Sequence, residues 1–172
     1  MKRLLLSAAA LICLTGCSSG GRIHEKAYLR AVSADCDDET ELTLAFFADE
    51  KPVTVSGGDM ADALRAAELS IGKEIFTGFT ELVILDGKDA AGAETMEYML
   101  KEWRVAPECI VAYSGSGRAL LTKEPPERLS GMVREAVRQE EAPGSGLVRV
   151  LGRYFKDGRA DAADLDKLFS IR

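Results

Sequence analysis

Leu82-Val83-Ile84-Leu85 runs straight into Asp86-Gly87. A strand with one face in water alternates apolar and polar residues with a period of two, and four consecutive large aliphatics leave no polar face. The run predicts a strand covered on both sides, the setting of parallel strands flanked by helices. Asp86-Gly87 turns the chain out of it. Upstream, Met60, Ala63, Leu64, Ala67 and Ile71 recur at three- and four-residue spacing. They predict a helix that starts on Ser56 or Asp59 as a cap and stops at Gly72. Downstream, a helix is expected from about Ala90 to Trp103, with Met96, Met99, Leu100 and Trp103 on its inner stripe. Pro107 closes that connection, and Cys109 to Tyr113 reads as another apolar strand. Strand, helix, strand, helix, strand in this order implies right-handed crossovers within one sheet.

Two further strands precede this unit. Lys26 to Ala34 carries Tyr28, Leu29, Ala31 and Val32, and in Glu41 to Phe47 the residues Leu42, Leu44 and Phe46 alternate with Glu41, Thr43 and Ala45. The short acidic link Asp35-Cys36-Asp37-Asp38-Glu39 predicts an antiparallel hairpin. A brief run, Val53-Thr54-Val55, follows Asp49-Glu50-Lys51-Pro52. Beyond the last strand, Arg118 to Thr122 reads as a short helical turn and Pro125-Pro126 starts a helix to about Gln139. Leu147 to Phe155 and Asp161 to Phe169 read as two short amphipathic helices. The expected fold class is α+β or α/β: a mixed β-sheet with helices packed on it, followed by a short helical C-terminal segment. The expected divisions are 1–16, a signal; 17–25, a tether; 26–124, an α/β domain; and 125–172, a helical segment of that same domain.

The N-terminus carries an address. Lys2 and Arg3 precede an apolar stretch, Leu4 to Leu14, broken only by Ser7 and too short to span a bilayer as a mature helix. It ends in Leu14-Thr15-Gly16-Cys17, which resembles the lipobox of bacterial lipoproteins. That resemblance implies a diacylglyceryl group on the Cys17 sulfur, the chain's only expected non-protein group, and cleavage between Gly16 and Cys17. Two acyl chains anchor a protein stably where one does not. Ser18 to Gly21 reads as a small, polar tether. Of the remaining cysteines, Cys13 leaves with the signal. Cys36 and Cys109 stay, in a compartment where a disulfide persists. Either they pair, or Cys109 is a buried small hydrophobe; their separation is not legible in sequence.

The composition is that of a globular domain, 47% apolar and 29% charged, with a net charge of −6. The signal contains two cations and no acid, so the remainder is more acidic still. That balance excludes nucleic acid as a partner, because phosphate contacts need Lys and Arg to displace counterions. It also leaves lipid, and not a basic face, as the membrane link. His24 is the sole histidine, and one histidine cannot build a histidine-based metal cluster. Ser114-Gly115-Ser116-Gly117 is not G-x-S-x-G, has no second histidine for a base, and lacks the Lys-Ser/Thr ending of a P-loop, so it reads as a cap. Asp157-Gly158-Arg159-Ala160-Asp161 with Asp164 and Asp166 lacks calcium-loop spacing and reads as turn and caps. Asp35, Asp37, Asp38 and Glu39 read as an exposed hairpin end. No nucleophile, base and orienter assemble. The expectation is no catalytic residue, no metal and no enzyme.

The order of elements, with the helix segment Met60-Ala61-Asp62-Ala63-Leu64-Arg65 and the stretch Gly72-Lys73-Glu74-Ile75-Phe76-Thr77-Gly78-Phe79-Thr80-Glu81 before Leu82, resembles the N-terminal domain of GerC-type spore germination lipoproteins. The helix to Arg104, the strand Cys109 to Tyr113, the turn Gly117 to Leu121 and the helical tail from Pro125 to Leu168 line up as well. Phe79 stands where that family has histidine. Ser18-Ser19-Gly20-Gly21-Arg22 replaces its Trp-Asp-Arg, and the chain is shorter than the family's. The resemblance implies a non-enzymatic subunit of a nutrient-germinant receptor. It would be lipid-anchored on the outer face of the cell membrane, which is the inner membrane of the spore, beside integral-membrane receptor subunits. Ile75, Phe76 and Phe79, in the loop Lys73 to Phe79, are the candidate partner contact; the competing reading makes them core. Two other readings stay open: a surface-tethered ligand-binding or cell-envelope lipoprotein unrelated to germination, and, more weakly, a cell-envelope enzyme.

Overall fold

The computed structural model describes residues 25–36, 39–48 and 51–170. The signal, the cleavage site Gly16–Cys17, the lipid site, most of the tether with His24, and Asp37 and Asp38 lie outside the described residues.

The both-faces-apolar run sits where its pattern requires. Leu82–Leu85 (β5) is central in a seven-stranded mixed sheet, between Lys26–Asp35 (β1) and Ile110–Tyr113 (β6), and parallel to both. Thr40–Phe46 (β2) pairs antiparallel with β1, and Val53–Gly57 (β3) extends that side antiparallel to β2. Six helices cover the sheet: Met60–Ile71 (α1), Ala90–Lys101 (α2), Gly117–Lys123 (α3), Pro126–Arg138 (α4), Leu147–Asp157 (α5) and Leu165–Ser170 (α6).

Each face of the sheet has its own core. On one, Val32, Leu42, Leu44, Val83 and Val111 pack with Met60, Ala63 and Ala67 of α1, Met96 and Met99 of α2, and Val150 and Leu151 of α5. On the other, Ala31, Leu82, Ile84 and Ala112 meet Leu121 of α3, Leu129 and Val133 of α4, and Leu165 of α6. Val83 and Leu82 are neighbours with opposite cores. That is the physical content of an apolar strand without alternation.

The start and stop of α1 are those the sequence signals. Asp59 Oδ1 accepts from the Asp62 N–H at 2.8 Å to open α1. Gly72 closes the helix in the left-handed region (φ 69°), its N–H donating to the Glu68 carbonyl. Asp89 caps α2 through the Gly92 N–H. In β1 the pairing with β2 slips between Leu29 and Ala31. This bulge at Arg30 explains why Leu29 and Val32, three residues apart, share one core.

Two expectations are corrected. The stretch from Lys73 to Phe79 is not all loop: Glu74–Phe76 (β4) pairs parallel with Lys26–Tyr28. Strand alternation then sends Ile75 into the core while Phe76 points out. Likewise, no helix begins at Asp161. Ala163–Asp164 (β7) adds a parallel rung beside Ala112 and Tyr113, and α6 starts only at Leu165. Ser145 draws it there, its Oγ accepting from the Ala163 N–H.

Candidate functional site

The two ends of the sheet differ in character. At the carboxyl ends of β1, β5 and β6 lies a cavity of about 570 Å³, bordered by Ser33 and Asp35 of β1, Glu41 and Thr43 of β2, Asp86 after β5 and the loop after β6. This is the place where parallel strands leave a crevice for ligands. Arg118, on α3, donates to Glu41 at 2.9 Å across the mouth.

The loop Ser114-Gly115-Ser116 is organised around a carboxylate. Ser114 Oγ donates to Asp166 Oδ1 at 2.7 Å, Ser116 Oγ to the same oxygen at 2.9 Å, and the Gly115 N–H to Oδ2 at 2.9 Å. Ser114 Oγ in turn accepts from the Ser116 N–H at 3.0 Å. The expected side-chain cap of α3 is absent: Ser116 holds the N-cap position without a capping bond. Two hydroxyls and an amide converge as they would on an anion, and this chain supplies the anion itself from α6. Ser114 is thereby part of a lock on Asp166, whose carboxylate is shared among three donors. Asp164 does act as a cap, its Oδ1 accepting from the Lys167 N–H at 3.2 Å. Burial pushes the Asp164 pKa up, but the Lys167 N–H and the Lys88 and Lys167 ammoniums outweigh it and leave the carboxyl below its ordinary value.

The opposite end, where β1 and β4 begin, is aromatic. Tyr28, Phe76 and Phe79 form a three-ring cluster: Phe76 meets Phe79 edge-on at 5.0 Å between centroids, and Tyr28 lies 5.7 Å from Phe76 and 5.9 Å from Phe79. Phe79 is 59% exposed and Phe76 36%, while Ile75 at 6% belongs to the core. Of the three candidate contact residues, two are thus on the surface and one is not. Phe79 rides on a held turn. The buried Thr77 donates its hydroxyl to the Trp103 carbonyl at 2.8 Å, and Thr80 donates both its N–H and its hydroxyl to the Thr77 carbonyl. Phe47 is exposed at the same end, its N–H donating to the Tyr28 carbonyl. The cations of the rim are paired: Lys26 with Glu74 at 2.7 Å, and Arg30 with Glu81 at 3.1 Å and also with Glu127.

No family model, curated protein or solved structure matches this chain.

Cys36 and Cys109 are both free thiols. Cys109 precedes Ile110, which lies level with Leu82 and Ala31, whereas Cys36 follows the far end of β1. About six residues of strand separate their levels, roughly 20 Å at the rise of a β-strand. A disulfide tolerates about 7 Å between Cα atoms, so the two cannot bridge. Cys36 Sγ contacts Met60 Sδ at 3.9 Å instead, and Cys109 is buried with its thiol pKa pushed up to about 12, chiefly by burial and secondarily by Glu81. Among the described residues, no group of three or more His, Cys, Asp or Glu side chains is placed to hold a metal.

Sequence reasoning reached Phe76 and Phe79 but missed Tyr28 and Asp166. Tyr28 had a signal, since it stands between Ala27 and Leu29, which alternation sends to the other side. Asp166 had none, because its partners lie about fifty residues away and only the fold joins them.

Proposed function

We propose that this chain is a lipoprotein anchored through Cys17 to the outer face of a bacterial membrane, where it works as a non-enzymatic subunit beside integral-membrane partners of a nutrient-germinant receptor. Three features support the reading: the lipobox, the order of elements similar to that of the germination lipoproteins, and one observation that carries the most weight. The described chain starts at Glu25, on the end of the sheet where Phe47, Phe76 and Phe79 are exposed. The segment that leads back to Cys17 therefore joins the domain at the end that bears this apolar surface. The non-enzymatic part rests on the residue inventory: the single histidine precedes the domain, and the Asp166 carboxylate that Ser114 meets is shared with two further donors, Ser116 Oγ and the Gly115 N–H.

Mass spectrometry of the mature N-terminus, together with the germination response of Cys17→Ala spores, tests the proposal. A diacylglyceryl-modified Cys17 and a response lost in the variant are the expected results. An unmodified terminus refutes the anchor, and an unchanged response refutes the germination role.

The polar cavity at the other end favours a second reading, a tethered ligand-binding module. Ligand-dependent thermal stabilisation that Thr43→Val removes would establish it, since binding to the native state alone raises stability by mass action.

A further inference from the structure

We propose that the Tyr28–Phe76–Phe79 cluster is a membrane seat: it rests in the lipid interface and holds the domain upright, with the polar cavity turned away from the bilayer. The inference rests on the Cys17 anchor proposed above.

Reach comes first. Cys17 and Glu25 are eight positions apart in the chain, which at about 3.5 Å per residue is at most about 28 Å of chain. Tyr28 follows three residues later, in β1, and Phe76 sits in β4, the strand paired with that first segment. A lipid on Cys17 therefore confines the bilayer to the neighbourhood of these rings and raises its effective concentration there.

Chemistry comes second. Phenyl rings with a tyrosine beside them suit the boundary between headgroups and acyl chains, where one part of a side chain is apolar and the other wet. The two cations Lys26 and Arg30 beside the cluster are paired within the domain, Lys26 with Glu74 and Arg30 with both Glu81 and Glu127, so neither is left free to draw this end to an anionic headgroup. What the end of the domain offers is apolar area.

Rigidity comes third. Phe79 is exposed on a turn fixed through the buried hydroxyls of Thr77 and Thr80, and its ring stacks on Tyr28. A ring held outward by buried bonds is part of the fold and not a side chain on a loose loop. The cluster also concentrates exposure: among the described residues, Phe47, Phe76 and Phe79 are three of the six exposed large hydrophobics, and all three lie at this end.

The test uses the full lipidated chain in phosphatidylcholine vesicles with and without brominated acyl chains. Trp103 is buried, at 4% exposure, and supplies a constant background. Phe79→Trp should add emission that is blue-shifted and quenched by the brominated lipid, equally at low and high salt. Ala119→Trp, at the exposed cavity end, should add emission that is not quenched. A lipidated chain in which position 79 stays unquenched, or in which both positions are quenched alike, overturns the seat and leaves the anchor standing. An unmodified mature terminus overturns the anchor and the seat with it. A photo-crosslinking residue at position 79 in cells separates the occupants: a lipid adduct supports the seat, and an adduct with another protein or with a second copy of this chain overturns it.

Discussion

Cys36 and Cys109 show how one residue type divides by surroundings. Cys109 is enclosed between strand and helix, and its thiol pKa of about 12 leaves almost no thiolate at neutral or mildly alkaline pH. Cys36 is half-buried at the end of β1. With disulfide reagents at pH 8, Cys36 should react in the native protein and Cys109 only after unfolding; two thiols that never react, even unfolded and without reductant, would restore the disulfide. Asp164 supplies the pH dependence. Its folded pKa lies below the ordinary 3.8, because the Lys167 N–H and the Lys88 and Lys167 charges outweigh the burial that opposes them. A lowered carboxyl stabilises the native state fully above its unfolded value, and that contribution disappears as pH falls through the folded one. Asp164→Asn should therefore lower the urea midpoint at pH 7, and the difference from wild type should shrink below pH 3.8. A difference that persists unchanged at pH 3 would assign the effect to geometry and not to charge.

Among the elements, α3 depends on a close approach. A Cβ on Gly117 would stand 2.3 Å from Ser33 Oγ and 3.0 Å from Ile84 Cγ2, both in strands packed beneath the helix start. Small-to-large changes at packed positions typically cost about 1–3 kcal/mol, so Gly117→Ala should lower stability by an amount of that order in urea unfolding. Ser33→Ala in the same chain removes the 2.3 Å conflict but not the one with Ile84, and so should recover part of the loss. No recovery would assign the loss to the contact with Ile84 and not to that with Ser33. The same scale shows what sequence could and could not tell. β5 and β6 were legible because four apolar residues in a row suit only a doubly covered strand. The cap of α1 was legible because Asp59 acts on its own next turn. β4 and β7, three and two residues long, carry too little periodicity to register. Each exists because an existing strand, β1 or β6, offers it a partner. The anion-like lock of Ser114 and Ser116 on Asp166 was illegible for the same reason: it is a contact made by topology.

At the scale of the whole molecule, the sheet is polarised, with exposed aromatics at the start of β1 and a polar cavity where β1, β5 and β6 end. The last third of the chain completes the domain on which that polarity depends. Leu129, Val133 and Leu165 form the helical side of the second core, against Ala31, Leu82 and Ile84, all five per cent exposed or less. Asp166 ties α6 to the cavity loop, and Arg30 of β1 is paired with Glu127 of α4. Removing residues 125–172 would leave only α3 on that face of the central strands and would also take Val150 and Leu151 of α5 out of the first core. Burying a large aliphatic side chain contributes about 1.5–3 kcal/mol, and native domains are stable by only about 5–15 kcal/mol. Losing the partners of several such residues therefore exceeds what the remainder can tolerate. A chain ending at Glu124 should show no cooperative thermal transition and should bind a hydrophobic dye, whereas the intact chain should unfold in one step by both fluorescence and circular dichroism. A shortened chain that melted cooperatively would make α4 to α6 an appendage. The sheet's first core, closed by α1 and α2, would then be the true folding unit.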